Sequence, residues 1–152
     1  MAFELSVSGF ADGATIPERH TCEGRDASPA MKWSGGPEGA KSLALIVDDP
    51  DAPVGTWNHW LLWDIPASMH ALGEGVQPAE VGLSGTNDFG RPGYGGPCPP
   101  RGHGPHRYFF KLFAVDAAAL GLAAGAKRAD LDQALKGHVL AEAQYLGRYE
   151  RR

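Results

Sequence analysis

From Gly93 to Pro105 the chain runs Gly-Tyr-Gly-Gly-Pro-Cys-Pro-Pro-Arg-Gly-His-Gly-Pro, which excludes a helix or a regular strand over that span. Proline fixes φ and lacks a backbone donor, and glycine takes up conformations that other residues avoid. The same habit runs through the chain. With 21 glycines and 12 prolines in 152 residues, short strands joined by many turns are expected rather than a helical bundle. The loop from Leu83 to Gly104 is long for a compact domain, and loops of that length usually carry function.

A second rigid stretch is Asp48-Asp49-Pro50-Asp51-Ala52-Pro53, followed by Trp57-Asn58-His59-Trp60. Both stretches set carboxylate, imidazole or phenol groups beside chain bent by Pro and Gly. Polar groups held rigidly at strand ends form a site more often than a core. The two stretches are therefore expected to meet in space.

Between them lie the strands. Phe3, Leu5 and Val7 alternate with polar residues, the pattern of a half-buried strand. Met31-Lys32-Trp33 fits a short strand. Ser42 to Val47 is continuously apolar, as in a strand buried on both faces. Asn58 to Ile65 is aromatic-rich and closed by Pro66. Regular alternation there would put His59, Leu61 and Trp63 on one face, and Trp60, Leu62 and Asp64 on the other. His106 to Val115 is a third clear strand, with His106, Tyr108, Phe110 and Leu112 on one face and Arg107, Phe109, Lys111 and Phe113 on the other. Ile16 to Pro29, Met69 to Glu80 and Leu83 to Gly104 are expected to be loops. Ala117 to Ala126 leaves room for one helical turn. Arg128 to Lys136 is the best helix candidate, with Leu131 and Leu135 four apart, Asp130 and Asp132 near its positive end and Gly137 closing it. Val139 to Tyr149 fits strand by one periodicity and helix by another.

The apolar share of 43%, the charged share of 21% and the length describe one globular domain, residues 1–152. A net charge of −4 without a basic run speaks against nucleic acid or an anionic membrane surface as a general partner. No cationic segment followed by an apolar run opens the chain, and no apolar run is long enough to span a bilayer, so a cytoplasmic protein without integral membrane contact is expected. In that compartment Cys22 and Cys98 are expected to be free thiols.

The words Asp-Pro-Asp-Ala-Pro at 49–53, Trp-x-His-Trp at 57–60, Gly-Gly-Pro-Cys-Pro-Pro at 95–100 and His-Arg-Tyr at 106–108 resemble the phosphatidylethanolamine-binding protein family, in its short bacterial and archaeal form. Thr21 to Gly24, Ser28-Pro29 and Gly137 to Ala141 extend the resemblance over nearly the whole chain. It implies a mainly β fold, a Greek-key β-sandwich with one or two short helices, and it favours strand for Val139 to Tyr149. It implies a ligand pocket formed by Asp49, Trp57, His59, Cys98, Pro100, His106 and Tyr108. It also notes Lys127 where relatives commonly have a Thr cap, and homodimers among bacterial relatives, so a homodimer is expected.

On the residues alone, Asp49 and Asp51 could both cap turns, and His59 could be a hydrogen-bonded core histidine. Asp49, His59, His103 and His106 could be taken for a metal site, but they lack tight ligand spacing such as His-x3-His, and no metal or other cofactor is expected. Ser34, Ser68 and Ser84 lie outside any Gly-x-Ser-x-Gly elbow, so an enzyme is not expected. The favoured function is binding a small anion, phosphate or a phosphate monoester such as a head group. The donors would be His59, His106, Tyr108 and a nest of backbone N–H groups from Cys98 to Gly102, with Trp57 and Pro100 as apolar walls. Two alternatives remain open: a module that restrains a protein kinase or protease, and a hydrolase acting on a phosphate ester or peptide. Asp51 is expected to pair with a buried Arg107 in a structural role. A cis peptide is expected at Ala52-Pro53 or Asp49-Pro50.

Overall fold

The computed structural model describes residues 2–152. Its strands are β1 (Glu4–Val7), β2 (Met31–Ser34), β3 (Ser42–Asp49), β4 (Trp57–Pro66), β5 (Ala71–Leu72), β6 (Leu83–Ser84), β7 (His106–Val115) and β8 (Val139–Tyr149), with one helix, α1 (Arg128–Leu135), and a 3-10 turn at Glu18–His20. The antiparallel strands form a three-stranded sheet, β1-β2-β5, and a five-stranded sheet, β6-β4-β3-β7-β8. After β4 and β6 the chain returns to pair β7 with the far side of β3, a Greek-key return. The mainly β sandwich expected from the sequence is the fold observed.

The central strand β3 is buried at all eight positions. Leu43, Leu45 and Val47 join Trp60, Leu62, Tyr108, Phe110 and Leu112 against Leu5, Val7, Met31 and Trp33 of the smaller sheet. Ala44 and Ile46 point the other way and pack with Leu61, Trp63, Leu131 and Leu135. That outer face is covered by α1 and by the Ala117–Ala126 segment, which is irregular and contains no helical turn. Its Leu122 carbonyl accepts from the Trp63 indole N–H, and its Ala117 carbonyl from Ser42 Oγ. A helix of eight residues is too short to persist by itself in water, so its buried leucines hold it. No side-chain hydrogen bond from Lys127 caps the helix; the Lys127 N–H donates instead to the Asp130 carboxylate, at 3.4 Å.

Strand β4 does not alternate regularly. Val47 pairs with Trp60 but Asp48 pairs with Asn58, so a bulge leaves His59 outside the ladder. His59 and Trp57 consequently turn to the Trp60 side, and Asn58 to the helix side. The expected sharing of a face by His59 with Leu61 and Trp63 is thus overturned. A second shift between Leu62 and Ile65 surrounds Asp64, whose φ is +56°, and Ile65 rather than Asp64 joins Trp60 and Leu62 in the core. The Asp64 carboxylate accepts from the Leu120 N–H.

Two expectations about the turns and cysteines fail. No cis peptide bond occurs among the described residues. Asp49 Oδ1 accepts the Asp51 N–H at 2.7 Å, which closes the turn around Pro50 with every bond trans. Cys22 and Cys98 are not free thiols but a disulfide, with their Cα atoms 5.4 Å apart. They lie 76 residues apart in sequence, and the Cys22 N–H bond to the Pro97 carbonyl brings the segments together. Among the described residues no helix is long and apolar enough to cross a membrane.

Candidate functional site

At one end of the sandwich, where β3 ends and β4 and β7 begin beside the Gly/Pro-rich loop, lies a cavity of about 230 Å³. All seven expected residues line it: Asp49 from β3, Trp57 and His59 from β4, Cys98 and Pro100 from the loop, His106 and Tyr108 from β7. Strand alternation delivers His106 and Tyr108, and the β4 bulge delivers Trp57 and His59. The loop is held by close approach. Gly95 N–H donates to the His59 carbonyl, Gly96 N–H donates to Asp26 Oδ1, and a Cβ at Gly96 would run into the His20 carbonyl oxygen. Only glycine fits there.

The polar groups form a directed network. His106 Nδ1–H donates to Asp49 Oδ2 at 2.7 Å, with both side chains almost wholly buried. His59 Nδ1–H donates to the Gly95 carbonyl at 2.7 Å. Burial pushes the His59 imidazolium down from its usual value, so the ring is neutral at pH 7 and its remaining Nε2 is an acceptor. Tyr108 is 1% exposed, and its phenol is raised well above the ordinary tyrosine value by burial and then by the Asp49 charge. Among the described residues, neither the Tyr108 hydroxyl nor the Trp57 Nε1–H makes a hydrogen bond of normal geometry, and the Asp49 carboxylate is the acceptor nearest the Tyr108 hydroxyl. The backbone nest expected from Cys98 to Gly102 is thin. Pro99 and Pro100 have no N–H, and Gly102 N–H is spent on the Arg151 carbonyl, which leaves those of Cys98 and Arg101.

Asp51 takes the structural position expected of it. Arg107 Nε and Nη2 donate to its two oxygens at 2.9 Å each, and the Arg107 backbone N–H donates as well. The guanidinium beside it lowers the Asp51 carboxyl to about 2. Arg107 is not buried as expected: 46% of its side chain is exposed, because the far face of β7 opens to solvent at this end. Among the described residues no cluster of three or more His, Cys, Asp or Glu could hold a metal.

Sequence reasoning missed two residues that shape the pocket and one buried carboxylate on the face opposite it. Phe89 stands edge-on to both Trp57 and His59, with ring centroids 5.6 and 5.3 Å away. An aromatic in the polar run Asn87-Asp88-Phe89-Gly90 was the available signal. Asp26, which orients Gly96, has no local signal. Asp48 lies on the opposite face from Asp49 and is 3% exposed. It accepts from Lys111 Nζ at 3.0 Å and Arg128 Nη1 at 2.9 Å. Arg128 Nη1 also donates to Asn58 Oδ1, which ties α1 to the sheet.

The chain is thus a Greek-key β-sandwich with a half-apolar pocket of Asp, His and Tyr at its strand ends. The sequence profile of the phosphatidylethanolamine-binding protein family matches residues 6–150, and the chain belongs to that family. A UPF0098 protein of Aquifex aeolicus is 50% identical over 97% of this chain and 88% of its own length. One from Methanothermobacter thermautotrophicus is 47% identical, over 97% and 98%. Among solved structures, Escherichia coli YbcL, described as a member of the mammalian PEBP family, is 33% identical with a TM-score of 0.92, covering 99% of both chains. A phosphatidylethanolamine-binding protein homologue from Chlamydia trachomatis is 36% identical with a TM-score of 0.91, over the same shares.

Proposed function

We propose that the pocket binds a small phosphate-bearing ligand in a form that keeps one acidic proton, without turning it over. The observation that carries this reading is the Tyr108 hydroxyl, a buried donor beside the Asp49 carboxylate with no hydrogen bond of normal geometry among the described residues. Buried polar groups in native proteins are nearly always satisfied, so a partner from outside is called for. Trp57 Nε1–H is a second donor in the same position. The acceptors beside them, neutral His59 Nε2 and the Asp49 carboxylate, repel a fully ionised phosphate and suit a P–OH group. His59 therefore serves as an acceptor, not as the donor its residue type suggested. The lining contains no serine, threonine or free thiol, so noncovalent capture is favoured over attack on an ester.

Calorimetric titration with inorganic phosphate and with phosphoethanolamine tests this. Binding is expected to be tighter at pH 5.5 than at pH 8, with net proton uptake seen in two buffers of different ionisation enthalpy. Tyr108→Phe removes one hydrogen bond to a charged ligand and is expected to weaken binding about 10- to 100-fold. Affinity that rises with pH, or that is unchanged in Tyr108→Phe, overturns the reading.

A further inference from the structure

The Asp49–His106 pair does not end at His106. His103 Nδ1 lies 2.6 Å from His106 Nε2, with the ring centroids 4.8 Å apart. The hydrogens follow from the partners. A carboxylate only accepts, so His106 carries hydrogen on Nδ1. Neutral His106 then has a bare Nε2, and the close contact requires hydrogen on His103 Nδ1. Both nitrogens of His106 are thereby spent, and it offers the pocket no donor.

His103 is placed to leave. It is exposed, whereas His106 is 1% exposed. It sits between Gly102 and Gly104, whose φ values are +73° and +89°, with open space around both. The rest of the loop is pinned: Arg151 Nε donates to the Pro99 carbonyl, and Gly102 N–H to the Arg151 carbonyl. At the tip the His103 N–H donates to the Pro100 carbonyl at 3.1 Å, so the backbone is held there too and only the His103 side chain has room to swing.

We propose that His103 is a further residue of the site, a cover whose Nδ1–H caps His106 Nε2 and yields that atom to an anionic ligand when the pair takes up one proton. This rests on the phosphate reading of the pocket. The added proton goes to His106 Nε2, which can then no longer accept from His103 Nδ1–H; His106 donates to Asp49 through Nδ1 and to a phosphate oxygen through Nε2, or to His103 only after the His103 hydrogen has moved from Nδ1 to Nε2. The other charged or titratable groups near the pair are Asp51 in the turn after β3, His59 from β4, Arg107 and Tyr108 from β7 and Arg151 from the C-terminal segment. Among the described residues no second carboxylate bonds to either imidazole, so Asp49 is the anion in direct contact with the pair.

Nitrogen-15 NMR of the histidine rings in the ligand-free protein at pH 8 is expected to show hydrogen on Nδ1 of both His103 and His106, with His106 Nε2 bare. The two rings should titrate together, and His106→Gln should displace the titration of His103. In calorimetry with inorganic phosphate at pH 5.5, His103→Ala removes the competitor and should bind about three- to tenfold more tightly than the parent. Hydrogen on His106 Nε2 in the neutral ligand-free protein, independent titrations, or phosphate affinity unchanged or weakened in His103→Ala each overturn the proposal. If the parent binds no phosphate, the pocket reading falls. The NMR titrations then decide on their own: coupled rings support the capped pair, and independent rings reject it.

Discussion

Asp49 and Asp51 flank one proline yet live in different media. Asp49 is 3% exposed and accepts from both the Asp51 N–H and His106, so Asp49→Ala strands a buried imidazole N–H. An unsatisfied buried donor costs about 1–3 kcal/mol. The Asp51–Arg107 fork is bidentate but solvated on the arginine side, where exposed pairs are screened. A buried Arg107, as expected from the sequence, would put the larger loss at Asp51. With the observed exposure, Asp49→Ala is expected to lower the unfolding midpoint more at pH 7, and the Asp51→Ala loss to shrink in high salt. Denaturant melts at low and high ionic strength check both. The Asp51 carboxyl is lowered to about 2, so its contribution is whole above the unfolded value near 4 and is lost only as pH falls through about 2.

Among the elements, α1 depends on one buried carboxylate. Asp48 faces away from the pocket and collects Lys111 from β7 and Arg128 from the first turn of the helix. Removing one partner of a buried ion pair costs about 3–5 kcal/mol. Both cations keep about a quarter of their side-chain surface in water, so Asp48→Ala is expected near the low end of that range. Asp132→Ala breaks only the exposed i,i+4 pair with Arg128 and should cost about 0.3–0.5 kcal/mol. Equal losses in urea melts would refute this ordering. The Cys22–Cys98 bridge joins the N-terminal loop to the pocket wall across 76 residues. Its reduction is expected to cost about 2–4 kcal/mol, and protein purified without reductant should give no titratable thiol, folded or unfolded, until a reductant is added.

For the whole molecule, two buried histidines set the acid limit of stability. His20 and His59 both have imidazolium values lowered, by burial first of all. The unfolded chain takes up these protons first, so stability is fully present above about pH 6.5 and is lost as pH falls towards the lower folded values. Each histidine contributes a slope of up to about 1.4 kcal/mol per pH unit. Urea midpoints measured from pH 8 to pH 5 should fall, and His20→Gln should make the fall shallower; a midpoint that is flat or rises on acidification counts against it. Phosphate should partly offset the loss, because a ligand that binds only the folded state stabilises it by mass action.

The strands were legible because their signals are local. The apolar run Ser42 to Val47 and the alternation of His106 to Val115 name their own faces, and Gly137 closes α1 wherever the helix packs. The seven pocket residues were legible through words shared with a family, which carry tertiary information that periodicity does not. Packing and partners decided the rest. His59 changed faces because a bulge in β4 inserted one residue against β3. Cys22 met Cys98 because the Pro97 carbonyl bonds the Cys22 N–H from across the fold. Arg107 stayed in water because nothing packs over that end of β7, and His103 reached His106 because the loop tip folds back onto it. A residue's type and its place in a strand are properties of a few neighbours in the chain. Its burial, its tautomer and its partner depend on groups tens of residues away, which only the folded chain brings within hydrogen-bonding distance.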